Sequence, residues 1–131
     1  MIGVGSEAAE GVVADVMLRE PKTLPARATV GQVRTLLEKP SVQMVLLADD
    51  GVFAGAVTEL PAGAADDDPA VDVADRSPVS LGPDESASVA FEIAARLPHR
   101  RVVVLDEQRN LLGLLCLNEA RTRFCGVPRS T

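Results

Sequence analysis

Residues 13–23 read VADVMLREPKT, and residues 70–80 read AVDVADRSPVS, so the same pattern returns 57 positions later. In both stretches an Asp-Val pair is followed by a Pro and then by a residue with a side-chain hydroxyl. Further along, the apolar run at 44–47 matches the run at 102–105 at an offset of 58. Internal repetition at a fixed period identifies a repeat architecture, so the chain is interpreted as two copies of roughly sixty residues each.

The first copy contains local signals for a helix and a strand hairpin. Thr29 and Gln32 form a capping-box pattern, and the apolar residues at 30, 33, 36 and 37 have helical spacing, with Pro40 as the end. The apolar run 44–48 is separated from a second run, 52–57, by an Asp-Asp-Gly sequence. This pattern predicts two strands joined by a tight turn.

The second copy repeats these signals. Ser86 is placed to cap a helix, and the side chains predicted on its buried face are Val89, Ala90, Ile93, Ala94 and Leu97. The runs 102–105 and 111–115 predict the second hairpin, and residues 118–124 predict a final helix ended by Gly126 and Pro128. Each copy therefore reads as extended segment, helix, strand, strand and helix, although the final helix of the first copy must be short or frayed.

Residues 61–69, PAGAADDDP, combine helix breakers with a run of like charges. Such a stretch is typical of an exposed connection. The predicted organisation is a first repeat over 12–62, an acidic linker over 63–70 and a second repeat over 71–126. No metal site is predicted in the linker, because adjacent acids lack the alternating spacing and the glycine of a calcium loop.

Composition limits the classes of function. The chain has 131 residues, a net charge of −6 and neither Trp nor Tyr, so a nucleic-acid partner is not expected, because such binders use basic surfaces and aromatic stacking platforms. No signal-peptide pattern and no bilayer-length apolar run is present, which predicts no membrane association and a cytoplasmic location. Cys116 and Cys125 lack the spacing of a redox or zinc motif and are predicted to be reduced.

With this element order and the phrases VADVMLREPKT, RRVVVLD and NLLGLL, the chain resembles the cystathionine-β-synthase (CBS) domain family over about residues 12–125. The resemblance implies an α+β fold in which two βαββα repeats pack through their sheets about a pseudo-two-fold axis. It also implies two clefts that commonly hold adenosine-containing ligands, and a homodimer.

Family members end the hairpin with Gly, two apolar residues, Thr or Ser, two variable residues and Asp, and the hydroxyl and the carboxylate face the ligand's ribose. The first copy keeps the hydroxyl as Thr58 but has Pro61 at the carboxylate position, so its cleft is predicted to be compromised. The second copy has Cys116, a weak thiol donor, and Glu119, a longer carboxylate, at the two positions. The alternative for Glu119 is an acid placed in the first turn of a helix by the helix dipole.

The resemblance also implies the remaining ligand-binding residues. The pair Arg100-Arg101 occupies the place of basic residues that reach phosphates, and its alternative is a solvated strand entrance. Ser80, and more weakly Thr23, stand where a hydroxyl lies near the base and the ribose, with an ordinary strand-edge hydroxyl as the alternative. Val79 and Val102 are expected to supply aliphatic walls for a purine, with the hydrophobic core as the alternative.

The sequence does not predict an enzyme. Its one histidine, His99, stands beside two arginines that disfavour its protonated form, and no nucleophile-base pair, metal motif or Gly-rich phosphate loop is evident. The leading hypothesis is a sensory module that binds AMP, ADP, ATP or a similar ligand in the second cleft and signals to a separate effector protein. The alternative is a degenerate pair that binds no nucleotide and acts as a dimerising interaction module.

Overall fold

A computed structural model describes residues 11–19, 21–40 and 42–125. The chain divides into two compact units, which we call unit 1 (Met1–Pro21 with Val79–Thr131) and unit 2 (Lys22–Pro78). In chain order the elements are α1 (Val13–Val16), β1 (Leu18–Arg19), β2 (Thr23–Leu24), α2 (Val30–Leu37), β3 (Val45–Asp49), β4 (Val52–Val57), a 3₁₀ helix (Ala70–Asp72), β5 (Ser80–Leu81), α3 (Ala87–Arg96), β6 (Arg101–Leu105) and β7 (Leu111–Cys116). Sheets and helices are mixed, which confirms the predicted α+β class. Among the described residues, no helix has the length and apolarity needed to span a membrane.

Unit 1 is a four-stranded sheet with helices packed on one face. Its strand order is β1-β7-β6-β5, in which β6 and β7 are antiparallel and β5 runs parallel to β6. The rings of Phe91 and Phe124 pack edge to face, with centroids 5.5 Å apart, in an otherwise aliphatic core. The buried residues of this core are Val13, Val16, Ala87, Ala90, Ala94, Val102, Val104, Leu115, Leu117 and Phe124.

Unit 2 is a smaller version of the same arrangement. Its sheet has the order β2-β3-β4, with β2 parallel to β3 and β3 antiparallel to β4. Beside β4, Ala56 and Asp75 exchange two backbone hydrogen bonds of 2.9 and 2.8 Å. The buried residues of the core under this sheet are Ala28, Val33, Val45, Leu47, Val57 and Ala70.

The acidic linker is anchored to the start of α2. The N–H groups of Val30 and Gly31 donate to the backbone carbonyls of Asp68 and Asp66 at 2.8 and 3.0 Å. The Arg34 guanidinium donates through Nε to the Asp66 carboxylate at 2.9 Å. The linker therefore satisfies two of the N–H groups that the first turn of a helix leaves without an internal partner.

Each unit contains the opening segment of the other sequence repeat. β1 comes from the first repeat but pairs antiparallel with β7 of the second, with Leu18 opposite Leu114. The equivalent pair in unit 2 joins Asp75, from the start of the second repeat, to Ala56. The boundaries of the sequence repeats therefore differ from those of the two compact units.

This exchange explains two glycines that occupy equivalent hairpin positions. A Cβ added at Gly113 would lie 2.7 Å from the Leu18 carbonyl oxygen, and one added at Gly55 would lie 2.8 Å from the Cβ of Ala74. Both distances are shorter than real Cβ contacts. Glycine is required at these points because the opening segment of the other repeat approaches the strand backbone closely.

The predicted helix caps and hairpins are confirmed. The Gln32 N–H donates to Thr29 Oγ1 at 3.4 Å, and the Thr29 N–H donates to Gln32 Oε1 at 3.0 Å, which completes the capping box. Ser86 accepts from the Val89 N–H at 3.3 Å. The predicted burial of Val89 is wrong, because half of this side chain is exposed and Ala87 takes a buried position in the same helix.

Two predicted segments have a different local structure. The opening stretches of the repeats are not fully extended, since they contain α1 and the 3₁₀ helix. The predicted helix over 118–124 is wrong, because Asn118 Oδ1 accepts from the N–H groups of Thr122 and Arg123 at 2.8 and 3.2 Å and so replaces helical hydrogen bonding. Gly126 and Pro128, which were predicted to end that helix, lie outside the described residues.

Arg121 lies in the turn that takes the place of the predicted final helix, and it has a positive φ of 59°. Its Nε donates to the backbone carbonyl of Ala95 at 3.1 Å, in the last turn of α3. The arginine therefore stabilises the C-terminal end of α3, where a positive charge and a donor are both favourable.

The prediction that both cysteines are reduced is wrong. A disulfide joins Cys116, the last residue of β7, to Cys125, with a Cα–Cα distance of 5.2 Å. The two residues meet because the chain doubles back after β7 and Leu117 pairs with Phe124. Linear spacing of the cysteines carried no signal for this return of the chain.

Candidate functional site

The candidate residues of the second repeat meet at one end of the sheet in unit 1. There β5 and β6 begin and β7 ends, since Ser80 is opposite Val103 and Arg101 is opposite Cys116. The Val103 N–H donates to the Val79 carbonyl at 3.3 Å. The strand ends therefore bring together residues that are 15 positions apart (Arg101 and Cys116) and 23 positions apart (Ser80 and Val103) in the sequence.

Arg100 is held in a special backbone conformation at this end. Its φ is 57°, a left-handed value that residues with a side chain seldom adopt and that marks constrained or functional positions. The conformation is fixed because the Arg100 N–H donates to the Leu97 carbonyl at 3.2 Å and the Arg100 carbonyl accepts from the Leu117 N–H at 3.0 Å. The guanidinium is half-buried and donates to the Leu117 carbonyl at 3.5 Å.

Arg101 is almost completely buried, with 9% of its surface exposed. Its Nη1 donates to the carbonyls of His99 and Arg100 at 3.2 and 3.4 Å. Burial, and then the charge of Arg100, lowers the pKa of Arg101. Its guanidinium is thus held by hydrogen bonds at the start of β6, whereas the guanidinium of Arg100 is more accessible to a ligand.

His99 completes the turn before β6. Its Nδ1 accepts from the Arg101 N–H at 3.3 Å. Burial, and secondarily the charge of Arg101, lowers the pKa of His99 below its ordinary value of 6.5. The imidazole is therefore neutral at pH 7, and it supports the backbone of the arginine pair.

We expect the stability of the protein to fall as the pH drops below about 6.5, because His99 must then gain a charge. A group with a lowered folded-state pKa binds fewer protons when folded, so its contribution is complete above the unfolded pKa and is lost as the pH falls from there through the folded pKa. Urea unfolding at pH 7.5 and pH 5.5 measures the change.

The matched variant for this prediction is His99→Asn, whose side-chain oxygen keeps an acceptor for the Arg101 N–H. It is expected to lose less stability than the unmodified protein over the same pH interval. His99 is the one histidine of the chain, and Asp106, whose pKa is lowered by a hydrogen bond from the Asn110 side chain, titrates at lower pH. Equal pH dependence in the two proteins would contradict the prediction.

The two predicted ribose contacts differ in availability. Glu119 is exposed in the turn that follows β7, and because no helix forms there, its alternative interpretation as a first-turn acid is wrong. Cys116 is 6% exposed and its sulfur is bonded to Cys125, so it has no S–H to donate. The carboxylate is therefore accessible to solvent three residues beyond the end of β7, and the expected thiol is absent in the disulfide form.

The two valines that were predicted to flank a purine differ in their exposure to solvent. Val79 is 44% exposed and Ser80, beside it, is exposed. Val102 is fully buried in the core of unit 1, where it packs with α1 and α3. The core interpretation therefore describes Val102, and of the two valines only Val79 offers apolar surface.

Unit 2 places the corresponding first-repeat residues at the equivalent end of its sheet. Thr23 lies opposite Leu46 on β2, and Thr58 follows the end of β4; both are exposed. The position of the arginine pair is occupied there by Val42 and Gln43, whose amide donates to the Pro40 carbonyl at 3.3 Å. This copy thus has hydroxyl groups but no charged side chain at the equivalent positions.

A cavity of about 440 Å³ that the sequence did not indicate lies at the opposite end of the unit 1 sheet. It is lined by residues 82–85 and 105–108, four of which are acidic. Such a lining repels phosphate groups. In the described part of the chain, no three His, Cys, Asp or Glu side chains are grouped so that they could hold a metal ion.

These features define a module of two related units, one with a charged candidate site and one with an uncharged counterpart. The model of the CBS domain matches residues 13–60 and 70–124, which is most of the chain. The chain therefore belongs to the CBS domain family, as the resemblance implied. No curated protein sequence matches it.

Solved CBS structures share this fold. The CBS-pair protein CBSX2 from Arabidopsis thaliana has a TM-score of 0.70 and 18% identity, with 86% of this chain and 92% of that chain covered. CBSX2 in complex with AMP has a TM-score of 0.62 and 20% identity over the same shares. The CBS domain of the bacterial CNNM/CorC family Mg²⁺ transporter in complex with ATP has a TM-score of 0.59 and 16% identity, with 84% of each chain covered. At these identities the likeness establishes the fold.

Proposed function

We propose that this protein is a regulatory module that binds an adenosine-containing ligand, such as AMP, ADP or ATP, at the unit 1 site and catalyses no reaction itself. The observation that carries the proposal is that Arg100, Ser80 and Glu119 are presented at, or directly beyond, one end of one sheet. The AMP complex of CBSX2 and the ATP complex of the transporter CBS domain, both of this fold, support the choice of ligand class.

Each group suits one part of such a ligand. The Glu119 carboxylate accepts hydrogen bonds from ribose hydroxyls, and the Arg100 guanidinium donates to phosphate oxygens, for which its planar fork is well matched. Ser80 offers a hydroxyl and Val79 an exposed aliphatic surface for the base. The constrained backbone of Arg100 fixes the origin of its side chain, which lowers the entropic cost of binding.

The binding signal then passes to a separate effector protein, and the module works as a homodimer in the cytoplasm. Ligand binding changes such an assembly only if the ligand prefers one of its arrangements. Size measurement by light scattering with and without nucleotide tests the dimer, and the proposal of a dimer fails if the protein is monomeric at micromolar concentration in both conditions.

Neutralising the candidate ligand contacts is expected to weaken nucleotide binding by about tenfold to a hundredfold. Glu119→Gln and Arg100→Gln each remove a charge-assisted interaction of roughly 1.5–3 kcal/mol. Thermal-shift titrations with AMP, ADP and ATP measure the change, because a ligand at 100 times its dissociation constant stabilises the folded state by about 2.7 kcal/mol.

The matched controls for these variants are Glu107→Gln and Arg27→Gln. Both side chains are exposed, and neither lies at the proposed site. The controls are expected to bind nucleotide like the unmodified protein. The proposed site is wrong if controls and site variants are weakened equally, and the proposed function is wrong if no nucleotide stabilises the unmodified protein.

A second candidate function is a ligand-free interaction module. The observation that favours it is that Cys116 is consumed in a disulfide and Val102 is buried, so two of the predicted contacts are withdrawn, while Pro61 replaces the acid in unit 2. This candidate predicts no thermal shift with any of the three nucleotides, together with a dimer that is insensitive to them.

A further inference from the structure

The disulfide lies directly beside the proposed nucleotide site. Cys116 ends β7 and is paired in register with Arg101, and Cys125 follows eight residues of loop. The bond therefore closes a covalent ring that contains Glu119. One side of this ring is the strand end that contacts the arginine pair, because the Leu117 N–H donates to the Arg100 carbonyl at 3.0 Å.

Apart from the disulfide, the loop is held by the pairing of its two ends and by solvent-exposed hydrogen bonds from the N–H groups of Thr122 and Arg123 to Asn118 Oδ1. Leu117 and Phe124 are buried and pair with each other, but residues 119–123 between them are all exposed. The hydrogen bond from Arg121 to the Ala95 carbonyl is itself exposed to solvent. Segments with few buried contacts and solvent-exposed hydrogen bonds open at low free-energy cost, so a covalent tie has a large influence on where Glu119 is found.

We propose that the Cys116–Cys125 disulfide is a redox control of nucleotide binding. In the oxidised form the ring holds Glu119 at the same end of the sheet as Arg100, and the protein binds nucleotide. In the reduced form the loop opens, Glu119 leaves the site for much of the time, and binding weakens. This inference rests on the proposed function, since the bond regulates that same site.

The chemistry is thiol–disulfide exchange with an external dithiol. A thiolate of the dithiol attacks Sγ of Cys125, the less buried of the two cysteines, and Cys116 leaves as a thiolate that takes up a proton. The second thiolate of the dithiol then attacks the other sulfur of the same dithiol, which is bonded to Cys125 in the mixed disulfide. Cys125 leaves as a thiolate and is protonated in turn. Two electrons and two protons pass to the protein, and the dithiol becomes a disulfide.

The cysteine content and the proposed location are consistent with this control. The sequence contains two cysteines, and the disulfide joins these two. In a reducing compartment such as the cytoplasm, protein disulfides are usually transient and redox-sensing rather than permanent. A disulfide at the rim of a regulatory ligand site fits that use.

Calorimetric titration of the oxidised and the dithiothreitol-reduced protein with AMP and with ATP tests the inference. The oxidised form is expected to bind at least tenfold more tightly than the reduced form. Cys125→Ser, which cannot form the bond, is expected to bind like the reduced form with or without dithiothreitol. Mass spectrometry after thiol alkylation establishes the redox state of each sample.

A second readout follows the loop without any nucleotide. Reduction is expected to increase amide hydrogen exchange across 117–124 and to leave the central strand β6 unchanged. Unchanged exchange in the loop would overturn the release step. Equal or tighter nucleotide binding after verified reduction would overturn the redox control and leave the proposed function intact, whereas absence of binding in both redox states would overturn the proposed function and this inference with it.

Discussion

Replacing Gly113 by alanine is expected to lower the free energy of unfolding by about 3 kcal/mol, the upper end of the usual cost of overpacking. The added Cβ would lie 2.6 Å from the Met17 sulfur and 2.7 Å from the Leu18 carbonyl oxygen. The methionine side chain can turn aside, but the carbonyl cannot move without displacing β1. Because β1 pairs with β7 over two residues, and Gly113 is one of the partners, the pairing has little capacity to absorb that displacement.

Urea unfolding of three glycine variants tests this argument. Gly55→Ala is expected to cost less, since the added Cβ meets another Cβ, that of Ala74, at 2.8 Å and the nearest backbone oxygen is 3.5 Å away. Gly63→Ala meets nothing within 4 Å and is expected to be neutral or stabilising by up to about 1 kcal/mol, because alanine restricts the unfolded chain. A Gly113→Ala protein as stable as Gly63→Ala would show that β1 does not pack against β7 in this way.

Reducing the disulfide is expected to lower the free energy of unfolding by about 2.5 kcal/mol. The bond spans nine positions, and in the chain-entropy model a ring of about ten residues restricts the unfolded state by that amount. Reduction is also expected to weaken the hydrogen bond from Arg121 to the end of α3, because Arg121 lies within the ring that the disulfide closes. This loss adds to the entropic one. Urea titrations with and without dithiothreitol measure the difference.

Cys125→Ser is the control for the reductant. It lacks the bond, so its unfolding midpoint is expected to be the same in both titrations and close to that of the reduced protein. If dithiothreitol leaves the unmodified protein unchanged within about 0.5 kcal/mol after its cysteines are shown to be free, the bond does not stabilise the fold.

Local sequence patterns predicted the elements whose signals are local. The capping box at Thr29 and the Asp-Gly turn after β3 each combine adjacent residues, and the structure places a helix and a hairpin where they stand. The exchange of opening segments was not predictable in this way. The partners Leu18 and Leu114 are 96 positions apart, and a two-residue strand carries no periodicity that could identify its partner.

The predicted final helix shows why a local pattern can mislead. Its residues are compatible with a helix, but the Asn118 side chain offers backbone groups an alternative to helical bonding. The turn is then closed by a disulfide whose two cysteines are brought together only by tertiary structure. For the same reason, the sequence misassigned the redox state of Cys116.

The repeat offset located the candidate site, but it did not predict the state of each residue. In the structure Ser80 begins β5, Arg100 directly precedes β6 and Glu119 follows the end of β7 by three residues, and their role in binding stays a prediction. The offset did not reveal that Val102 belongs to the core or that Arg100 has a positive φ. Burial and backbone angles depend on neighbours from distant parts of the chain, which an aligned repeat does not contain.

The placement of β1 in unit 1 has a consequence for biosynthesis. Unit 2 ends at Pro78, so it can close while the rest of the chain is still being made. The apolar residues Val13 and Val16, by contrast, emerge early and must wait for strands that follow residue 100 before they have a core to enter. At the usual rates of translation this wait is on the order of ten seconds, so the apolar residues of α1 stay without their core until β6 and β7 have been made.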